Sequence, residues 1–266
     1  MTNTLLSRVA TLGLLVVTLS CGNTPKKATT SAQDSVWSEY NIGTIHFLDK
    51  SPDTEGSKIY SSIIPNPEAY IHKQAEDVLA TLYYSPDDSI PEITDLYYTV
   101  EDADGISAKG GEGAVASIYY STRHIEQSFA DKDTAKVLFE TRGVLLHELT
   151  HVFQLSPQGI GDYDNDLVFW CFIEGMADAV RVANGGFGPE DRPRGGNYMD
   201  GYRKTGFFLV WLRDNKDPDF LRKFNASTLE VIPWSFNGAI KHIFGENADI
   251  DELWNEYQIA VGDIKI

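Results

Sequence analysis

The sequence predicts an α+β fold in which a small mixed sheet is followed by a mainly helical C-terminal half. Segments with a strand-like pattern lie in the first half of the chain, whereas the segments after Pro157 show mostly helical periodicity. The 266 residues are 42% hydrophobic, which is enough for one sizeable core or for two lobes around a cleft. We therefore expect a folded domain with the sheet in its N-terminal part.

The N-terminus has the layout of an export signal, which we assign to residues 1–20. Arg8 precedes the apolar run Leu12–Leu19, which is too short to cross a membrane as a helix. A small residue then precedes Cys21, as in bacterial lipoprotein signals, where the cysteine carries the lipid. Thr18 stands where such signals usually have Leu, so an ordinary secretory peptide is the alternative. A lipid on Cys21 would be the protein's only membrane contact, on the periplasmic or cell-surface side.

Residues 21–36 are rich in Thr, Ser, Lys, Ala and Pro and have no apolar period, which is typical of a flexible tether. The rest of the chain, 37–266, contains no second linker. We predict that it forms one domain, with an N-terminal lobe over about 37–155 and a C-terminal lobe over about 156–266.

Three strands and one helix are predicted in the N-terminal lobe. Tyr40–Leu48, Asp95–Val100 and Ala116–Ser121 are the strand-like runs, and glycine-rich turns separate the last two. The helix begins at Asn66, which is followed by Pro and Glu as in a capped first turn, and it ends at about Tyr84.

The longest helical pattern opens at Asp133 and continues through Phe153. Beyond it, the apolar spacing predicts further helices that together make up the C-terminal lobe. These helices are expected at about 166–184, 198–214, 235–244 and 250–261.

The charge balance excludes one class of partner. Acidic residues outnumber basic ones by 39 to 22, and the formal net charge is −17. Because proteins that bind phosphate backbones present a basic surface, nucleic acid is not a predicted partner. The acidic residues are spread through the loops, which is typical of a soluble surface, and we expect a monomer.

A metal-binding motif lies at the end of the long helix. His147 and His151 are four residues apart, so both imidazoles lie on one face and a single ion can bridge them. Glu148 follows the first histidine, from where its carboxylate can reach a water at the metal, and it is the candidate general base. The pattern could arise by chance in an unrelated helix, or the metal could serve only to stabilise the fold.

A second helix offers the missing ligand. Catalytic zinc usually has three protein ligands and one open position, so a donor must come from outside the first helix. Glu174 and Asp178 are four residues apart and share one face. We predict that Glu174 binds Zn²⁺ and that Asp178 orients a ligating histidine, with the reverse assignment as the alternative.

These motifs and several other segments resemble the plant basic secretory protein family, zincin-like secreted proteins regarded as metallopeptidases, which also has bacterial members. In the metal helix the resemblance extends to Gln154, three residues beyond the second histidine. It covers about residues 37 to 262. The similar segments are Ile118–Ile125, Thr141–Gln154, Ile173–Arg181, Asp200–Leu209 and Asp251–Tyr257.

The resemblance implies a zincin-like fold that hydrolyses peptide bonds in peptide or protein substrates. It implies that the strand upstream of the metal helix forms an edge above the cleft, where it can pair with an extended substrate. The order of Glu174 and Asp178 is also similar to that of thermolysin-like enzymes, in which the glutamate binds zinc. The acidic charge departs from a family named for basic proteins, which puts substrate preference in doubt. A non-catalytic, zinc-stabilised peptide- or glycan-binding protein is the alternative function.

Tyr202 is a candidate oxyanion donor because its segment resembles the family and its phenol can donate a hydrogen bond across a cleft. The alternative is a packing tyrosine at the start of a helix. Arg123, His124 and Arg181 are interpreted as salt-bridge residues rather than as substrate contacts.

Overall fold

The computed structural model describes residues 34–265. The predicted signal peptide, its cysteine Cys21 and most of the predicted tether lie outside these residues. Within them, no helix combines the length and the apolar character that crossing a membrane requires. The division of the domain into two lobes near residue 155 stays a prediction.

The sheet contains four strands in the order β1-β2-β4-β3. The pairs β1–β2 and β2–β4 are parallel, whereas β3 runs antiparallel to β4. The α+β class with a small mixed sheet is therefore confirmed. The strands are β1 (Thr44–Asp49), β2 (Asp95–Glu101), β3 (Ser107–Glu112) and β4 (Val115–Ser121).

The edge strands of the sheet are β1 and β3, whereas the upstream strand of the resemblance is the interior strand β4. The β3 segment has the sequence pattern of a turn because it contains Gly110 and Gly111, which have low strand propensity. The segment is nevertheless half of a hairpin, joined to β4 by the two-residue turn Gly113–Ala114. Gly113 has a positive φ of 59°, a conformation that glycine adopts without strain.

The helices of the N-terminal half contact the sheet and one another. The two predicted helices are present: α3 begins after the Asn66 cap and α5 after the Asp133 cap. The short α1 and the helices α2 and α4 were not predicted. Their bounds are α1 (Asp34–Trp37), α2 (Glu55–Ile63), α3 (Pro67–Leu82), α4 (Thr122–Ser128) and α5 (Thr134–Phe153).

The C-terminal half is helical, as predicted. A 3₁₀ turn over Tyr198–Asp200 precedes α7, so the helix predicted from 198 begins at Tyr202. The helix α8 was not predicted as a separate element. The helices are α6 (Leu167–Ala183), α7 (Tyr202–Asn215), α8 (Phe220–Glu230), α9 (Phe236–Phe244) and α10 (Ile250–Ala260).

Glycines set the distances of α6 from its two neighbours. Gly175, between Glu174 and Asp178, faces α7 rather than the metal helix: a Cβ there would lie 2.3 Å from Thr205 Cγ2. Gly143 of α5 leaves the space for Arg181, since a Cβ there would lie 2.5 Å from the guanidinium Nε. The polar face of α6 is thereby held against the metal-motif helix.

Candidate metal centre

The two histidines of the motif lie side by side on the last turns of α5. Asp133 caps the helix by accepting the backbone N–H groups of Ala135 and Lys136, and the helix continues without a break to Phe153. The Nε2 atoms of His147 and His151 are 3.0 Å apart. Both side chains are largely buried, with about an eighth of their surface exposed.

Glu174 of α6 completes a set of three potential metal ligands. Its Oε2 lies 3.2 Å from Nε2 of His147 and 3.7 Å from Nε2 of His151. One ligand atom from each residue falls within 4.8 Å of the others. The carboxylate is 4% exposed, yet Oε2 has no hydrogen-bond partner among the residues that the structure describes.

This donor set fits a metal ion. Two imidazole nitrogens and one carboxylate oxygen are typical ligands of a catalytic zinc site, each about 2.0–2.2 Å from the ion. Ligand atoms at the corners of such a tetrahedron lie about 3.3 to 3.6 Å apart. The measured separations of 3.0, 3.2 and 3.7 Å bracket that range. An ion would also satisfy the unpartnered oxygen of Glu174, since a buried polar atom without a partner is costly.

Asp178 holds one of these histidines in place. Its Oδ1 lies 2.7 Å from Nδ1 of His147, and the carboxylate is buried one turn beyond Glu174 on α6. A carboxylate at this distance accepts the Nδ1 hydrogen, which leaves Nε2 free to bind a metal. The structure therefore places Glu174 in the donor set and Asp178 behind His147.

Gln154 lies beside the other histidine. Its amide nitrogen Nε2 lies 2.9 Å from Nδ1 of His151, just beyond the end of α5. An imidazole that offers Nε2 to a metal carries its hydrogen on Nδ1 and needs an acceptor there. A half-turn of the amide supplies Oε1, which is buried and otherwise has no partner among the described residues.

Tyr163 lies in the loop before α6 and contacts the other oxygen of the glutamate. Its hydroxyl donates a 2.5 Å hydrogen bond to Oε1 of Glu174. Burial raises the pKa of Tyr163, and the neighbouring Glu174 carboxylate raises it further, so the phenol keeps its proton.

Glu148 points from α5 toward the edge strand. Ser107 of β3 donates a 2.5 Å hydrogen bond to its Oε1, and the residue is 5% exposed. Burial raises the pKa of Glu148, although the nearby His147 and the Ser107 hydrogen bond oppose the shift. A buried carboxylate with a raised pKa, beside a metal donor set but outside it, is suited to exchange protons.

The charges of the metal-free site are strongly coupled. Burial lowers the pKa of His147, but the neighbouring carboxylates of Asp178 and Glu174 outweigh it and raise the pKa to about 10. Burial and the charge of His147 lower the pKa of His151 to about 3. Burial raises the pKa of Glu174, but the two histidines outweigh it and lower the pKa overall. One proton thus occupies the donor set, and a metal ion must displace it.

Tyr202 lies over the same site. Its ring stacks on that of His147 with 6.1 Å between the ring centroids, and it packs edge-on against Trp170. The residue has a positive φ of 42°, directly after Gly201 at 69°. A tyrosine in this backbone region is strained, and strain of this kind concentrates at functional sites.

The donor set lies in a cleft of about 1090 Å³ bounded by β3, α5, α6 and the start of α7. Arg181 also lines the cleft, where it donates a 2.7 Å hydrogen bond to Glu140 of α5. His124 contacts the other oxygen of Glu140 at 3.1 Å. Arg123 lies elsewhere, paired with Asp102. The three side chains interpreted as salt-bridge residues therefore all contact carboxylates.

Three of the residues that contact the site were not predicted from the sequence. Ser107 lay in a segment read as a turn, and nothing in the pattern around Tyr163 marks it. Gln154 had a signal, since its place after the second histidine was part of the family resemblance, but no role was drawn from it.

Fold and site together define the class: an α+β protein in which a His-Glu-x-x-His helix and a glutamate of a second helix form a metal donor set in an open cleft. The family model described as a peptidase of plants and bacteria matches residues 42–257. Because this match spans well over half of the chain, the protein belongs to that family, the basic secretory protein family. Comparison with curated proteins gave no match, and comparison with solved structures gave none either.

Proposed function

We propose that the protein is a zinc metallopeptidase that hydrolyses peptide bonds. The single observation that carries this proposal is the position of Glu148. It is a buried carboxylate next to His147 in sequence, its pKa is raised, and it is not one of the three donors. A purely structural metal site has no need of such a group, whereas a hydrolase needs a base.

His147, His151 and Glu174 would hold the zinc ion. Two neutral imidazoles and one carboxylate leave a net positive charge and an open coordination position. When bound, zinc supplies Lewis acidity, which polarises the scissile carbonyl and makes a water more acidic. Asp178 would keep His147 in the tautomer that such binding requires, and Gln154 would do the same for His151 once its amide is turned to present Oε1.

Glu148 is the general base in this proposal. Ser107 donates to its Oε1 and the backbone N–H of Lys109 also donates to the carboxylate, so Glu148 is fixed between α5 and β3. It accepts a proton from the attacking water and then delivers the proton to the leaving amine, for which its raised pKa is an advantage. Tyr202, whose ring lies over His147, donates its phenolic hydrogen to the oxyanion that develops on the substrate.

The edge strand supplies the substrate-binding surface. Among the described residues β3 pairs with β4 alone, so no strand covers its other edge, where the backbone N–H of Lys109 donates to Glu148. Ser107 and Lys109 are paired with the buried residues Tyr120 and Ile118 of β4, so their side chains lie on the cleft side of the sheet. An extended peptide added along this edge would place its backbone beside Glu148.

The protein is exported and acts as a monomer in this proposal, with a lipid on Cys21 as its membrane anchor. Support for export comes from the N-terminal pattern and from membership of a secretory family. Mass spectrometry of the mature N-terminus tests the anchor: a diacylglycerol on Cys21 supports it, and an unmodified cysteine or a cleavage site elsewhere contradicts it.

The test of activity joins metal analysis to cleavage profiling of the purified mature domain on a peptide library. We expect one zinc per chain and cleavage of extended peptides. Glu148→Gln should keep the zinc and lose cleavage, whereas Glu246→Gln, at an exposed position outside the cleft, should change neither. If the parent protein binds zinc but cleaves no peptide, the enzyme proposal fails and the non-catalytic binding protein takes its place.

A further inference from the structure

The cleft continues beyond the metal donor set along α5 and α6. Glu140 lies seven residues before His147, and Arg181 lies seven residues after Glu174, so each is two helical turns away on the same face. Two turns correspond to a rise of about 10 Å. We call this end of the cleft the Phe187 pocket; it comprises Glu140, Arg181, Phe187, Asp191 and Arg203.

The hydrogen-bond acceptors of the Phe187 pocket are largely occupied. Both carboxylate oxygens of Glu140 have partners, His124 on one and Arg181 on the other. Asp191 uses Oδ2 to accept the backbone N–H of Gly188, which closes a 3₁₀ turn, and its carbonyl faces Arg203. Of these acceptor atoms, only Oδ1 of Asp191 lacks a described partner.

The donors of the pocket are in excess. Arg181 uses Nε and Nη2, and its Nη1 has no partner among the described residues. Arg203 makes one hydrogen bond, 3.4 Å long, to the carbonyl of Asp191, although a guanidinium carries five N–H groups. Both guanidinium carbons lie near the ring of Phe187, at 3.8 and 5.7 Å from its centroid, which helps to hold them in place.

The unpaired charge of Arg203 is unusual among the arginines of the described residues. Acidic residues exceed basic ones by 39 to 22, and most of the arginines in residues 34–265 have a carboxylate within 4.0 Å. In that part of the chain Arg194 and Arg203 have none, and only Arg203 lines the cleft. A free guanidinium in a cleft recognises planar anions, carboxylates above all, with paired hydrogen bonds.

We infer that the Phe187 pocket binds a carboxylate group of the substrate, and that Arg203 determines this specificity. The inference rests on the proposed peptidase function. An extended peptide advances about 3.3 Å per residue, so a group about 10 Å from the donor set belongs to a residue about three positions from the scissile bond. The carboxylate is either an Asp or Glu side chain or the C-terminal carboxylate of the peptide.

Matched peptides test the inference. One peptide that the parent cleaves is synthesised with Glu, Gln or Lys at each position up to four residues on both sides of the bond. We expect Glu at one position to raise kcat/KM about tenfold over Gln, as a charge-assisted hydrogen bond would. Arg203→Glu should abolish the preference and favour Lys there, and Arg203→Lys should retain part of it. Lys265→Glu makes the same charge change at an exposed terminal position and should leave the preference intact.

The same peptides distinguish the two sources of the carboxylate. Each is made with a free and with an amidated C-terminus. If amidation lowers kcat/KM and a side-chain Glu gives no increase in kcat/KM over Gln, the pocket binds the terminal carboxylate. The inference is overturned if Glu and Gln peptides are cleaved equally, if free and amidated peptides are cleaved equally, and if Arg203→Glu changes neither result. The peptidase function would still stand.

Binding separates a failure of the pocket from a failure of the peptidase proposal. Fluorescence anisotropy of the labelled Glu and Gln peptides is measured on the zinc-loaded Glu148→Gln variant, with and without Arg203→Glu. Tighter binding of the Glu peptide that depends on Arg203 supports the pocket even if the parent cleaves nothing. The inference is overturned if the Glu and Gln peptides bind with equal affinity and Arg203→Glu changes neither affinity.

Discussion

The hydroxyl of Tyr163 donates a 2.5 Å hydrogen bond to Oε1 of Glu174, which leaves Oε2 alone facing the two histidines. A carboxylate held in this way can offer a metal one oxygen rather than two. The loop that carries Tyr163 is itself well braced, because Asp166 accepts backbone N–H groups from Gly161 and from the first turn of α6. The loop before α6 thus contributes to the geometry of the donor set.

Tyr163→Phe removes the hydroxyl and frees Oε1 of Glu174. We expect the dissociation constant of zinc to rise about tenfold, since partners of metal ligands are worth about 10- to 100-fold in affinity. Competition with a chromogenic chelator measures the dissociation constant of zinc. The absorption spectrum of the cobalt-loaded protein should also change, because it depends on the ligand geometry. Tyr97→Phe, on the outer face of the sheet, is the control. Unchanged affinity and spectrum would remove Tyr163 from the site.

Asp178→Asn tests the orientation of His147. Asparagine keeps the size of the side chain but loses the charge that favours the Nδ1–H tautomer across the 2.7 Å contact. We expect zinc affinity to fall about 10- to 100-fold, with zinc still bound at one ion per chain at high concentration. Asp87→Asn, an exposed position, should leave the affinity unchanged. Complete loss of stoichiometric zinc in Asp178→Asn would instead favour Asp178 as the ligand.

Much of the site could be predicted from the sequence because the main functional groups of the site lie on two helices. In α5 the spacing of His147, Glu148 and His151 fixes their relative positions once the segment is helical. The same holds for Glu174 and Asp178 on α6. What brings the two helices together is tertiary packing, and a single sequence does not encode that distance in any local pattern. Ser107 and Tyr163 reach the site from an edge strand and a loop, so their roles depended on the folded structure.

The elements that were missed have the weakest local signals. The strand β3 was not predicted because it contains two consecutive glycines. Pairing with β4 outweighs their low strand propensity in the folded protein. The helix α2 is only nine residues long, and one face of it depends on contact with α4: a Cβ on Gly56 would lie 2.1 Å from the carbonyl oxygen of Thr122. Such short helices are stabilised by packing rather than by their own sequence.

Zinc binding should stabilise the fold, because the donor set exists only when α5 and α6 are packed together. At a free zinc concentration of 1,000 times the dissociation constant, the gain is about 4 kcal/mol. For a domain of this size that corresponds to a Tm increase of about 8–16 °C, measured by calorimetry before and after treatment with a chelator. His151→Ala should abolish the increase. An equal Tm with and without zinc in the parent protein would show that no ion binds.

Gly175→Ala tests the close contact between α6 and α7. The added methyl would meet Thr205 Cγ2 at 2.3 Å, so we expect the free energy of unfolding in urea to fall by about 1–3 kcal/mol. Thr205→Ser removes that Cγ2 while keeping the hydroxyl that donates to the Tyr198 carbonyl. Combining the two substitutions should therefore recover part of the loss. If the double variant is no more stable than Gly175→Ala, the contact is not the cause.

The ion pair of Arg192 and Asp263 predicts a pH dependence of stability. Two hydrogen bonds of 2.8 and 2.9 Å join the groups, and the Asp263 side chain is 4% exposed. Hydrogen bonding to Arg192, which outweighs the opposing effect of burial, lowers the pKa of Asp263 to about 2. Since this value is below the ordinary carboxyl pKa of about 3.9, the stabilisation is complete above that pH and is lost as the pH falls toward 2.

Asp263→Asn should therefore reduce the free energy of unfolding by about 1–2 kcal/mol at pH 7, a magnitude that allows for screening near the surface. The difference between parent and variant should shrink between pH 4 and pH 2, because protonation removes the same charge from the parent. Urea denaturation across this pH range measures the difference in the free energy of unfolding, with Asp87→Asn as an exposed control. A difference that is the same at pH 7 and pH 2 would mean that packing, not charge, accounts for the effect.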